Sequence, residues 1–146
     1  MVSKVQILQK LALISGDKIL VLKRAPGNRS RPNTWDSTGG NVDDEDVKPQ
    51  NEDILLAALK REVVEEIGVG LTGEKIEIVY IDSGLNSEGN LVIWLGYKCQ
   101  LKSPPEIKPR SEHSEFKWVS KNEFLKLDFG YAEQSMKEQI ERVHYT

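Results

Sequence analysis

Two apolar-rich runs open the chain, Val5 to Ile14 and Lys18 to Lys23, with Ser15-Gly16-Asp17 between them. That arrangement predicts a β-hairpin. Further on, Lys75 to Ile81 alternates apolar and polar residues as a half-buried strand does, and Leu91 to Leu101 predicts another long strand. Two-residue alternation puts Tyr97 and Cys99 on one face of it and Trp94 on the other. Between these strands, Leu56, Leu59, Val63 and Ile67 recur at steps of three and four, the period of a helix with one buried face. Gly68 suits the left-handed position that closes such a helix, and Asn51 or Asp53 suits its start. Ser120 with Glu123 three residues later forms a capping box that opens a short helix through Phe124 and Leu127. Met136, Ile140 and Val143 mark a last helix from Tyr131 to Val143. Polar Asp82 to Asn90 and Lys102 to Arg110, with Pro104, Pro105 and Pro109, read as connections. Strands interleaved with helices predict an α/β layered domain.

The central helix has a second pattern. Glu62, Glu65 and Glu66 share a face, and each like-charged pair costs roughly 0.2–0.5 kcal/mol on a bare helix. Small Ala58 lies one turn earlier and leaves that face open. Two accounts fit the spacing. A hard cation such as Mg²⁺, held by carboxylates and substrate phosphates, would offset the repulsion. A solvated face with Arg61 paired to Glu65 would need no ligand at all.

Composition narrows the setting. A chain of 146 residues is one domain by length, with enough apolar residues for its own core. Net charge is −3 with 29% charged residues, so no strong field draws it to nucleic acid or membrane. No apolar run is long enough to span a bilayer. Met1-Val2-Ser3-Lys4 leads into a strand pattern and not into the apolar centre of a signal peptide. Cys99 is the single cysteine, which excludes an intrachain disulfide and fits a reducing cytoplasm. Its place mid-strand suits a small buried side chain better than a nucleophile. Trp35 reads as a packing residue. Arg29 and Arg31, set among Pro26-Gly27-Asn28 and Pro32-Asn33, are loop arginines that could meet an anionic ligand. The consecutive acids Asp43 to Asp46 predict a mobile, solvated loop outside any site.

Arg61-Glu62-Val63-Val64-Glu65-Glu66-Ile67-Gly68-Val69 resembles the second half of the Nudix box, with every fixed position filled. Gly39-Gly40 resembles the opening of the box, and Thr34-Trp35-Asp36-Ser37-Thr38-Gly39-Gly40 resembles the Trp-Asp-x-Pro-Gly-Gly approach to it, with Thr38 where proline is frequent. The chain departs from the box twice. Asp53 stands at its first acidic position, and the twelve residues between Gly40 and Asp53 exceed the usual spacing. Glu112-His113-Ser114-Glu115-Phe116-Lys117-Trp118-Val119 resembles a further family segment that precedes the closing helix.

The resemblance implies a Nudix-type α/β/α sandwich with a mixed β-sheet, over one domain spanning residues 1–146. It implies hydrolysis of a phosphoanhydride bond in a nucleoside diphosphate linked to a group X, with Mg²⁺ as cofactor and Mn²⁺ as its substitute. Metal ligands by the same resemblance are Glu62, Glu65, Glu66, Glu112 and the Gly39 carbonyl. Glu66 or Glu112 acts as general base, Glu115 is held in reserve for Glu112, and Arg61 orients the glutamates. Arg24 and Arg29 are the substrate-binding candidates, while His113 is structural. The partner implied is a nucleotide-type small molecule; dimers are common in the family, and nothing in the chain requires one. A non-catalytic Nudix module binding a nucleotide-like ligand is the alternative. Nothing in the sequence separates a nucleoside triphosphate from a nucleotide sugar or a dinucleoside polyphosphate.

Overall fold

The computed structural model describes residues 4–144, so the reading of Met1-Val2-Ser3 lies outside the described residues. The chain forms β1 (Val5–Ser15), β2 (Lys18–Arg24), β3 (Trp35–Asp36), β4 (Thr38–Asn41), α1 (Ile54–Ile67), β5 (Ile76–Leu85), β6 (Leu91–Leu101), β7 (His113–Val119), α2 (Lys121–Leu125) and α3 (Glu133–Glu141). The strands make one mixed sheet: β1 runs parallel to β6, and the other pairings are antiparallel.

The centre of the sheet is forked. β1 and β2 pair only beside their turn, at Ile14 with Ile19 and Ser15 with Lys18. Beyond that point the two strands part. β4 then lines the inner edge of β1, from Leu8 with Asn41 to Leu11 with Thr38, and β3 lines the inner edge of β2 at Leu22 and Lys23. The segment from Trp35 to Asn41 therefore crosses the fork, with Ser37 between its two short strands.

Alternation along the strands supplies two cores. Leu11, Leu13, Leu20, Leu22, Tyr97 and Cys99 pack against Leu59, Val63 and Ile67 of α1. Ala12, Ile14, Ile19, Val21 and Trp94 pack on the other side with Phe124 of α2 and Met136 and Ile140 of α3. This is the α/β/α sandwich with a mixed sheet. Each fully buried aliphatic side chain of α1 contributes about 1.5–3 kcal/mol, which fixes the helix on its apolar face and leaves the glutamates on another. Asp53 caps α1, its Oδ1 accepting the Leu56 amide at 3.1 Å, and Gly68 closes it at φ 73°. Among the described residues no helix is long and apolar enough to cross a membrane.

Two elements differ from their sequence patterns. β5 continues through Asp82, Ser83 and Gly84, which pair with Trp94, Ile93 and Val92. Asp82 is polar because its carboxylate accepts the Tyr80 and Ser135 hydroxyls, both at 2.6 Å. The last helix begins at Glu133 and not at Tyr131, because Gly130–Ala132 form a tight 3-10 turn with Gly130 at φ 63°.

Gln139 ties α3 to the sheet. Its Oε1 accepts from Trp94 Nε1 at 3.0 Å, and its Nε2 donates to the Lys10 and Tyr97 carbonyls at 3.1 Å each. Gly96 makes room for it, since a Cβ there would lie 2.5 Å from the Gln139 amide carbon. Gln139→Leu leaves those buried groups without partners, at about 1–3 kcal/mol each. Urea denaturation of this variant is expected to show a loss of at least about 2 kcal/mol.

Candidate active site

The glutamate face of α1 lies against the glycine pair of β4. Glu66 reaches between the layers and its Oε1 accepts the Gly39 amide at 3.0 Å. Gly39 has φ 141°, and a Cβ there would sit 2.0 Å from the Gln9 carbonyl oxygen, so only glycine fits. At Gly40 the constraint is the site itself, because a Cβ would meet the Glu62 carboxylate at 2.4–2.8 Å. Gly40 thus lets the Glu62 carboxylate approach the backbone of β4, while Gly39 packs against β1 and offers its amide to Glu66.

Burial of these carboxylates raises their pKa. Burial pushes Glu66 up to about 7, the charge of Asp36 adds to the rise, and Lys10 and the Gly39 amide oppose it. Glu62 is raised for the same first reason, with Arg61 opposing. His113 is buried too, its Nε2 3.9 Å from Glu66 Oε2 and its Nδ1 without a hydrogen-bond partner. Burial lowers the pKa of His113, so this contact joins a neutral imidazole to a carboxyl and is not an ion pair.

Arg61 gathers acids from two directions. Its guanidinium lies within 3.4 Å of five carboxylates, those of Asp43, Glu45, Asp46, Glu62 and Glu65. The expectation of a mobile, solvated acidic loop is corrected at this point. Asp44–Asp46 form a 3-10 turn, and Asp46, with 4% of its side chain exposed, takes Arg61 Nε at 2.6 Å and Nη2 at 2.8 Å. Asp43, Glu45 and Glu65 stay more than half exposed.

The fork of the sheet holds another charged group. Asp36, 1% exposed, accepts from Lys10 Nζ at 3.0 Å and from Arg24 Nη1 and Arg31 Nη2 at 3.2 Å each. Burial alone would raise its pKa; Lys10, Arg31 and Arg24 outweigh that and hold the carboxyl below its ordinary range. Arg24 also donates to the Ser30 carbonyl, and Arg31 to the Phe129 carbonyl. Two of the loop-side arginines are therefore occupied within the protein. Arg29 is exposed and makes no side-chain hydrogen bond or ion pair among the described residues.

Glu112 sits in the turn before β7, where its carbonyl accepts from the Ala25 amide and from Asn28 Nδ2. Its side chain is exposed, next in the chain to buried His113. Glu115 lies farther along β7, opposite Lys23. Among the described residues, no three His, Cys, Asp or Glu side chains converge on one point where an ion could sit. Glu65 is turned to Arg61 at 2.9 Å and Glu66 to Gly39.

Residues 10–142 match the family model described as the NUDIX domain. The chain belongs to the NUDIX family. The MutT protein from Methanosarcina mazei Go1 has the same fold, with a TM-score of 0.73 at 22% identity over 97% of each chain. A MutT NUDIX hydrolase from Burkholderia pseudomallei gives 0.70 at 18% identity over 97% of this chain and 100% of its own. The NUDIX domain of Shewanella oneidensis NrtR, complexed with ADP ribose, gives 0.68 at 17% identity over 97% and 88%. No curated protein sequence matches the chain.

Family membership makes this protein a Nudix hydrolase and implies a divalent cation. The donor set fits one. Its oxygens are hard, its carboxylates outnumber the single guanidinium among them, and burial disfavours the ionised forms of Glu62 and Glu66. A cation beside them would relieve the last two conditions, and hard oxygens suit it.

The sequence reading of this Nudix chain missed Lys10, Asp36 and Asp46. Lys10 and the neighbouring Gln9 are polar positions within the first strand pattern, a signal that something charged awaits them inside. Asp46 gave no signal, because four acids in a row read alike whether or not one of them is buried. Asp36→Asn takes from three buried or half-buried cations the only carboxylate that pairs with them among the described residues, and is expected to cost roughly 3–5 kcal/mol at neutral pH. The folded pKa of Asp36 is lowered, so its stabilisation is present above the unfolded value of 3.8 and is lost as pH falls through the lower folded value. Urea titrations of wild type and variant are therefore expected to differ at pH 7 and to draw together below about pH 4.

Proposed function

We propose that this Nudix hydrolase cleaves a phosphoanhydride bond in a nucleoside diphosphate linked to a group X, with Mg²⁺ or, in its place, Mn²⁺. The observation that supports this most is the pair of carboxylates Glu62 and Glu66 held against Gly40 and Gly39, with Glu65 next to Glu66 on the same helix. Glu62, Glu65, Glu66, Glu112 and the Gly39 carbonyl are the groups that would hold the ion. When bound, the cation supplies charge neutralisation on the phosphate oxygens and activation of water.

The chain's own residues account for the rest. Glu66, pushed up to about 7 by burial when no cation neutralises it, is the first candidate for proton acceptor. Glu112 is a solvent-facing carboxylate on a turn clamped to residues 25–28, and it is the second candidate for proton acceptor. Arg61 holds Glu65 and Glu62 in place. Arg29 is the freer of the two arginines proposed for phosphate contact, because Arg24 is engaged by Asp36 and the Ser30 carbonyl. The ADP ribose bound by the NrtR NUDIX domain supports a nucleotide-type ligand for this fold.

A panel of nucleoside triphosphates, nucleotide sugars and dinucleoside polyphosphates, with Mg²⁺ and then with EDTA, tests the reading directly. Metal-dependent release of phosphate or pyrophosphate from one class is the expected result. A nucleotide that raises the melting temperature but is never cleaved would reject hydrolysis in favour of a binding module. Glu65→Gln and Glu66→Gln each keep a hydrogen-bond acceptor and lose a charge, so turnover is expected to fall about a hundredfold or more while the circular dichroism spectrum is unchanged. Wild-type rates in both variants would reject the site. Comparing Glu112→Gln with Glu115→Gln is expected to give the larger loss of turnover at Glu112, and equal small losses would remove both from the mechanism.

A further inference from the structure

Five carboxylates approach Arg61, but one stands apart from the rest. Asp46 is the most buried of them, and it alone grips two nitrogens of the guanidinium at 2.6 and 2.8 Å. That grip takes the edge formed by Nε and Nη2, and a planar guanidinium held by one edge has its remaining donors fixed in direction. Nη1 then points at Glu65 at 2.9 Å, and Nη2 lies 3.2 Å from Glu62.

Asp46 is itself held. Its Oδ2 accepts the Asp43 amide at 2.8 Å, and its carbonyl accepts Asn51 Nδ2 at 3.0 Å. Arg61 Nη2 also donates to the Asn41 carbonyl at the end of β4, at 3.3 Å. Meanwhile Asp53, which occupies the first acidic position of the box, is exposed and caps α1. No hydrogen bond or ion pair joins it to Arg61 among the described residues.

We infer that Asp46, supplied by the extra segment between Gly40 and Asp53, is a positioning residue: it sets the plane of the Arg61 guanidinium and through it the places of Glu62 and Glu65. The inference rests on the reading of these glutamates as the cation site. The segment is then a brace built into the catalytic helix, and the length that separates this chain from the usual box has a use. The supply of Asp46 from a neighbouring turn leaves Asp53 free to begin α1.

Mn²⁺ binding without nucleotide, followed by electron paramagnetic resonance, tests the inference apart from turnover. Asp46→Asn is expected to weaken Mn²⁺ binding about tenfold, the effect typical of partners that orient metal ligands. It is also expected to lose the protected Arg61 Nε–H resonance in the metal-free protein. In an Arg61→Lys background the same substitution is expected to add little, since both act through one guanidinium. Asp53→Ala is the control: it lowers the melting temperature through the lost helix cap and leaves Mn²⁺ affinity within about twofold. Should Asp46→Asn not fold, Asp46→Glu, which displaces the carboxylate by one methylene, must still weaken Mn²⁺ several-fold. Wild-type Mn²⁺ affinity in the Asp46 variants overturns the inference, whatever their melting temperature. Wild-type protein that binds no Mn²⁺ overturns the proposed function and this inference with it.

Discussion

A single buried carboxylate, Asp36, holds the functional end of the molecule together. An isolated charge so deep in a protein would be prohibitively costly, and it persists because Lys10, Arg24 and Arg31 meet it there. Each partner comes from a different place. Lys10 belongs to one arm of the forked sheet and Arg24 ends the other, while Arg31 belongs to the loop that follows and is bonded in turn to Phe129 before α3. One group therefore ties together the two arms, the loop that folds back and the approach to α3. Its negative charge also reaches Glu66 and adds to the pressure that burial puts on that side chain.

The second constraint is geometric. Gly40 brings the backbone of β4 against Glu62 of α1, and Gly39 brings it against Gln9 of β1, more closely than any side chain would permit. The helix is located by its apolar face, and its acidic face is located by that close approach. Charge is concentrated where the two meet, with one guanidinium among many carboxylates. The site is strained electrostatically while its backbone is well capped and well packed, which is the division expected of a protein whose stability comes from its cores and whose chemistry comes from an unneutralised surface.

Much of this was legible in the residues. The hairpin, the long strand with Tyr97 and Cys99 opposite Trp94, the capping box at Ser120 and the helix ending at Gly68 all follow from local periodicity and end signals, and each is present. The glutamate face was legible because three- and four-residue spacing is a local property. What the sequence concealed depends on long-range pairing. The fork and the burial of Lys10 and Asp36 arise only when segments far apart in the chain meet, and the pairing of Asp46 arises only when its turn meets Arg61 of α1. Asp82 to Gly84 read as a link because their composition is polar, yet pairing with β6 and two hydroxyl donors make them strand.

The parallel pairing of β1 with β6 has a consequence for how the protein forms. Val5–Ser15 is the first strand in the chain, and it stands in register with Leu91–Leu101 along its whole length. The fork, both cores and the brace at Arg61 are arranged around that pair, but it closes only after most of the chain is available to span it. Folding must meet the entropy of that large loop before the central contacts repay it. A chain still emerging during synthesis therefore has its hairpin early and its complete sheet late, and α1 gains its full bed of strands only once Leu101 has been made.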